Sequence, residues 1–522
     1  MLNSSGAARA DEAEKIRIDT AIAERRVVVQ HPNDDETLYP QRWGNYSKGL
    51  KHDARGDVVA ASYDSMLDAL NSGAPSDFDA IKLGGDVPLV DPQAGLAFTL
   101  VGGDPQSFAL PPAPALASAE RAGEMVEDYW MALLRDVPFS QYDSHPLAQA
   151  AIADLNKLSD FRGPKQGGKV NAATLFRGFT PEDLLGPYVS QFLLLPFQFG
   201  AIDIDQTFQT YLPPGKGGAD YMTDFASWLA VQNGQATNAG KLTSAPFGPN
   251  MPDPTHRYLR DGRGLAAYVH VDVLFEAYFN ACLVALDAGC GFNAGNPYNG
   301  TAAGKTQQGF GTFGTPYAKT AISAVAGPAL KTIWYQKWYV HRVLRPEAYG
   351  GLIYKTLLAA SDPLYFSYPL HADVLNSDAV KHVQSLHGGA LLPMAFPEGS
   401  PWHPSYGQGH GTVAGACATM LKAILDEDFV IPNPMMPSDD GTKLVPYTGP
   451  GKLTVRGEAN KVAANIALGR NHAGVHWRSD YDRSVLLGEE VAIRVLRDEK
   501  LLYNEHHPRW TFTKFDGTKM TI

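Results

Sequence analysis

Residues 118–137 read SAERAGEMVEDYWMALLRDV, and the fold class turns on how this stretch is read. Met125, Tyr129, Leu133 and Leu134 recur at the spacing that places side chains on one face of a 3.6-residue helix. Ser118 stands where a hydroxyl can cap the first turn, and Pro138 follows where a helix must stop. The stretch therefore predicts an amphipathic helix.

Outward from it, the strongest periodicities are again helical, and few segments alternate as strands of a large sheet would. Thr180, Pro181 and Asp183 supply a cap, a first-turn proline and a first-turn carboxylate ahead of Leu184, Val189, Phe192 and Leu193, which predicts a second helix. Leu265 to Leu286 is apolar almost all round, but His270, Asp272 and Glu276 interrupt it. That pattern fits one central buried helix better than a membrane span. Residues 288–319 are rich in Gly, Asn and Thr and predict a long loop, and a Pro-rich loop runs from 431 to 451. The expectation is an all-α chain.

The 522 residues carry 44 Lys+Arg against 55 Asp+Glu, a formal charge of -11. A chain so acidic lacks the basic footprint of a general nucleic-acid binder, so any bound anion needs a local basic pocket. Cys282, Cys290 and Cys417 are too few for a disulfide framework or a four-cysteine zinc site and are expected to be reduced, with Cys417 in the core. The opening MLNSSGAARADEAEKIRIDTA has no apolar run after a basic start. No secretory signal is visible, and a cytoplasmic location is the default expectation.

Three C-terminal segments place cations and imidazoles inside apolar helical patterns. In IWYQKWYVHRVLRPEAYGG (333–351), Lys337, His341 and Arg345 are four apart and would share about 80° of one helix face, with Pro346 ending or kinking that helix. The bland alternative is a solvated basic face. In PWHPSYGQGHGTVAGACATMLKAILDE (401–427), a Gly-rich turn leads into a helix. His410 then lies beside unpaired N–H groups that suit an oxyanion, although an ordinary flexible turn would read the same way. In NIALGRNHAGVHWRSDYDRSVLLGEEVAIRVL (465–496), Asp480 lies four beyond His476, where it can accept from one ring nitrogen and leave the other as a free lone pair. His472 and His476 form an H-x-x-x-H pair, but the Glu of a zinc H-E-x-x-H motif is missing.

Taken in order, Lys337 with Arg345-Pro346, Gly409-His410, and Arg470 with His476 and Asp480 resemble the three-part signature of vanadium-dependent haloperoxidases and related acid phosphatases. The eight-residue spacing from Lys337 to Arg345, and His403 seven before His410, resemble the algal and cyanobacterial bromoperoxidase branch. The likeness is closest over 320–500 and looser over the N-terminal part, including DVPFSQY at 136–142. It implies two four-helix-bundle-like halves, with an N-terminal helical region at 1–255 carrying oligomer contacts and a bundle at 256–522 carrying the site, within one compact body.

The resemblance also implies the cofactor, vanadate, and roles for the residues. Lys337, Arg345, Arg470 and the Gly409 N–H would hold its oxygens, His476 would ligate vanadium, and Asp480 would orient the His476 ring. His410 would act as acid–base, Lys337 would polarise the bound oxidant, and His403 would tune His410 and the halide side of the pocket, with Trp334 as core or pocket wall. His341 and His472 are expected to be structural, and Asp272 or Glu276 to be counter-charges for the cations. Gln408 departs from the family's usual Ser-Gly-His. Its amide is expected to contact the oxyanion in place of the hydroxyl, and a lost bond to a charged group would cost about 1.5–3 kcal/mol.

The implied activity is oxidation of bromide or iodide by hydrogen peroxide to hypohalous acid, which halogenates small organic substrates, in a large homo-oligomer without nucleic-acid or membrane partners. Two alternatives stay open at this point. One is an acid phosphatase acting through a phosphohistidine at His476, and the other is an oxyanion-binding oligomer without turnover.

Overall fold

The computed structural model describes residues 4–99, 101–235, 237–238, 241–242, 250–300, 303–506 and 508–522. Helices dominate, and the strands form small two-stranded antiparallel ribbons, such as Met435–Pro437 with Leu444–Pro446 inside the Pro-rich loop. The chain is mainly α, as expected.

The helix in the deciding stretch runs from Ala119 to Leu133, and the Ser118 side chain accepts the Arg121 N–H as its cap. It is buried on more than its apolar stripe, because its polar side has partners inside the protein. Arg121 pairs with Glu124 at 2.8 Å, and the Glu127 carboxylate accepts from Nε and Nη2 of Arg478 in a buried two-bond contact. Buried charges are tolerable only when paired in this way.

Three sequence expectations are corrected. Thr180 and Asp183 do form a capping box, but only a 3-10 turn follows, Pro181–Leu184. Gly186 at φ +71° and Pro187 turn the chain before an α-helix can propagate. The apolar run from 265 is two helices, Gly262–Val271 and Glu276–Asp287, bent by 106°. Asp272 is extended at the break, and the Glu276 carboxylate accepts the Val273 N–H beyond it. Among the described residues no single helix is long and apolar enough to cross a membrane. The predicted loop at 288–319 is irregular up to Thr315, where Pro316 sits in the first turn of the Thr315–Ala324 helix; residues 301–302 lie outside the described set.

The third correction concerns 333–351. Helix Ala326–Tyr335 widens into a π turn at Gln336–His341 and stops at Arg342, whose backbone is left-handed. Pro346 then begins a new helix, Pro346–Leu358, with Arg345 as its N-cap. Lys337 and Arg345 are therefore on different elements. Proline is as well suited to opening a helix as to ending one, and the i, i+4, i+8 pattern could not distinguish these.

The C-terminal bundle packs Gly409–Ile424 against Arg478–Leu502 and Val455–His472, with Ala326–Tyr335 alongside. Its central contact needs two glycines. A Cβ at Gly415 would lie 2.0 Å from the Val485 carbonyl oxygen, and one at Gly488 would lie 1.9 Å from that of Thr412. The N-terminal part fastens the 342–347 turn. Tyr46 N–H donates to the Arg342 carbonyl, Asn45 bridges Val343, and Lys48 forms a 2.7 Å buried ion pair with Glu347. All three cysteines are free and buried, as expected, with Cys417 fully enclosed.

Candidate active site

Turns at helix ends bring the candidate residues together. Lys337 lies in the π turn, Arg345 caps the next helix, and Gly409 and His410 open the helix behind them. Arg470 occupies the last turn of Val455–His472, and His476 lies in the short link before Arg478–Leu502. Helix ends suit this purpose, because unsatisfied backbone groups gather there while the helix bodies hold position.

At the centre is a buried chain of hydrogen bonds. Asp480 accepts from His476 Nδ1 at 2.6 Å, from Ser405 Oγ at 2.5 Å and from the Trp477 N–H at 3.2 Å. This fixes the proton on Nδ1 and leaves the Nε2 lone pair to accept from Arg345 Nη1 at 2.9 Å. Arg345 also donates Nε–H to the His403 carbonyl at 3.0 Å and a second arm to the Val475 carbonyl at 2.8 Å. Lys337 Nζ donates to the carbonyls of Pro404 and Ser405 at 2.8 and 2.9 Å. Arg470 Nη1 donates to the Val269 carbonyl at 2.7 Å, while its buried Nε has no hydrogen-bond partner among the described residues.

The electrostatics of this cluster are those of a site built for an anion. Burial, then repulsion from Arg345 and Arg470, holds the Lys337 ammonium well below its ordinary value. Arg345 is pushed down to about 10, mainly by burial, against the pull of Asp480. His476 is held neutral by burial and by the positive charges of Arg345 and Lys337. Three buried cationic side chains thus converge here; Asp480 is already engaged by His476 and Ser405, and Asp272 and Glu398 act on the Arg470 side. Such a cluster is stabilised by a bound oxyanion. A neutral imidazole whose Nε2 faces Arg345, three buried cationic side chains and an unused guanidinium N–H together form a donor set for an anion.

The remaining candidates fall around this centre. His410, about a quarter exposed, has Nε2 at 3.1 Å from Asp272 Oδ1, and the same Asp272 faces the Arg470 guanidinium, as one of the two carboxylates expected beside the cations. Glu276 instead caps the break in the apolar run. His403 is buried against Trp334, ring centres 4.7 Å apart, and its Nδ1 accepts from Arg345 Nη2 at 3.0 Å. The ring therefore engages Arg345, with no bond to His410. Trp334 is buried: its Nε1 donates to the Val90 carbonyl, Lys337 Nζ lies 5.7 Å from its ring, and a Cβ added at Gly409 would meet the ring at 3.2 Å.

Gln408 behaves differently from its expectation. Its Nε2 donates to the Ala467 carbonyl at 2.8 Å, and its Oε1 lies beneath Gly411, where an added Cβ would meet it at 2.8 Å. The amide nitrogen is thus engaged across the seam between two helices, and Oε1 has no hydrogen-bond partner among the described residues. The hydroxyl nearest His476 belongs to Ser405, 3.5 Å from Nδ1, a residue the sequence reading passed over. The only available signal was its place inside HPSYGQGH. His341, with no partner for either ring nitrogen, and His472, bonded to Tyr188, are structural as expected.

Comparison with known proteins follows the same geometry. Residues 375–505 match the family model described as the VCPO second helical-bundle domain. The chain is 35% identical to a vanadium-dependent bromoperoxidase of Corallina pilulifera, over 97% of this chain and 98% of that protein. It is 34% identical to one of Ascophyllum nodosum, over 98% and 91%. Among solved structures, the homohexameric second vanadate-dependent bromoperoxidase of Ascophyllum nodosum superposes with a TM-score of 0.89 at 32% identity, covering all of this chain and 91% of that one.

Proposed function

The chain belongs to the vanadium-dependent bromoperoxidase family, and from that premise we propose that its buried cation cluster binds vanadate and catalyses halide oxidation. The reaction is oxidation of bromide or iodide by hydrogen peroxide to hypohalous acid, which then halogenates small organic substrates. The observation that carries this reading is the Asp480–His476–Arg345 chain set between Lys337 and Arg470.

Vanadate supplies a Lewis-acidic centre that activates peroxide toward halide without changing its own oxidation state. The protein's part follows from the contacts above. Asp480 holds the Nδ1 proton of His476 and so would leave the Nε2 lone pair, now met by Arg345, available to hold vanadium. Lys337, Arg345 and Arg470 neutralise the oxyanion, and the Gly409 N–H at the helix start adds a donor. His410, reached from solvent and backed by Asp272, takes and returns the proton of incoming peroxide. His403 and Trp334 close the pocket on the Arg345 side. A homo-oligomer is part of the proposal, supported by the homohexameric neighbour, with contacts through the 1–255 region, where Phe199 and Ile202 are exposed.

The test is bromination of a phenolic dye by purified protein with peroxide and bromide, with and without orthovanadate. Activity only with vanadate is expected, and its absence despite measured vanadate binding would sink the reading. His476→Ala should abolish vanadate binding in an equilibrium titration. His410→Ala should keep binding and lose about 10²–10⁴-fold in kcat, the range of a general acid–base.

A further inference from the structure

A cavity of about 300 Å³ opens beside the site, and Asp272 lines it. The same carboxylate that meets His410 at 3.1 Å is therefore also a wall of this second space. Phe208 and Tyr268 form an edge-to-face pair within it, ring centres 5.8 Å apart at 80°. Val271, 77% exposed, stands at its rim, and Asp205 and Glu276 complete the polar part of the lining. No lysine, arginine or histidine lines it. The volume lies at the small end of ligand pockets, enough for one substituted ring. Aromatic faces next to carboxylates are the surroundings that a desolvated ammonium group prefers.

We propose that this cavity binds the organic substrate, and that it selects small phenolic arylalkylamines, whose ammonium is on the side chain and not on the ring, holding the ring near the place where His410 serves halide oxidation. This rests on the function proposed above. The ring carbon attacks the bromine of hypobromous acid; the C–Br bond forms as the O–Br bond breaks, and the ring proton leaves with the hydroxide as water. Asp205 and Glu276 take the ammonium group, and Phe208 and Tyr268 flank the ring. The acidic chain as a whole, at -11, favours the approach of such a cation.

The probe pair is tyramine and 4-hydroxyphenylacetate, which share a phenol and differ in the charge of the tail. Supplied together to vanadate-loaded enzyme with limiting peroxide, they should be brominated in a ratio ~5–10-fold more favourable to tyramine than reagent hypobromous acid gives at the same pH, the factor expected of one screened ion pair with an aromatic contact. Val271→Trp, which fills the mouth, and Asp205→Asn should each move the ratio toward the reagent's value while bromide-dependent peroxide consumption stays unchanged. Saturation-transfer NMR on vanadate-free protein should show tyramine binding that Val271→Trp removes. A wild-type ratio equal to the reagent's, or no tyramine binding to vanadate-free protein, overturns the proposal. Loss of peroxide consumption in the wild type would instead overturn the peroxidase reading, and the NMR measurement would still decide the cavity.

Discussion

Gln408 shows how far a residue can be read from its neighbours in sequence. Its place in Gln-Gly-His suggested a contact with the oxyanion, yet the amide is spent on the Ala467 carbonyl, three residues before Arg470. Gln408→Ala should therefore cost about 0.5–1.5 kcal/mol in chemical denaturation, one ordinary hydrogen bond, and shift the vanadate dissociation constant little. A large loss of vanadate affinity would restore the contact that the sequence suggested. That Lys337, Arg345, Arg470, His476 and Asp480 belong together was legible because charge in an apolar setting demands an explanation. Ser405 was not, since a serine fits almost anywhere and its partner Asp480 lies 75 residues on. His341 makes a separate prediction. Burial, with Arg342 and Arg483 nearby, holds its imidazole down to about 3. The unfolded chain takes up this proton near pH 6.5, so the folded state loses about 1.4 kcal/mol of stability per pH unit as the pH falls from there toward 3. His341→Phe, which keeps the edge contact with Tyr406, should be more stable than wild type by ~2 kcal/mol at pH 5 relative to pH 8. Equal pH dependence of the two unfolding curves would refute this.

At the scale of elements, the helical class was legible, but helix boundaries were not, and the helix expected after Thr180 is only a 3-10 turn. The 118–137 reading succeeded because a cap, a stripe and a stop agree. The 265–286 and 333–351 readings failed because continuous apolarity and four-residue spacing survive a bend: the π turn at 336–341 redirects the chain with Lys337, Trp338 and Val340 still buried, and the break at Asp272 does so with Val271 and Val273 turned to solvent. Both irregularities serve the site, since one aims Lys337 and the other brings Asp272 to His410. The regular elements hold the site by close contact. Gly409–Ile424 carries His410 and Arg478–Leu502 carries Asp480, and they meet across Gly415 and Gly488. Gly415→Ala cannot fit without moving the helices apart, at a cost of about 1–3 kcal/mol for overpacking. It should lower the melting temperature and weaken vanadate binding together. A stability loss with unchanged binding would show that the helix spacing does not set the site.

For the whole molecule, the family resemblance carried what local patterns could not: the pairing of distant segments into one pocket. The N-terminal part belongs to that pocket's support, because Lys48 and Glu347 lock the turn that presents Arg345. Sequence could not show this, as Lys48 reads like any surface lysine. The buried thiols have a consequence of another kind. A catalyst that releases hypobromous acid is the first molecule its product meets, so its working life depends on what it leaves within reach. Burial pushes Cys282 and Cys290 up to about 12 and Cys417 higher still, which keeps them as unreactive thiols out of contact with the solvent where the product diffuses. Among the described residues, Met251 is the exposed methionine, 45% accessible. Peptide mapping after many turnovers should find sulfoxide at Met251 first and no oxidised cysteine while activity persists, so that the catalyst wears from its surface inward.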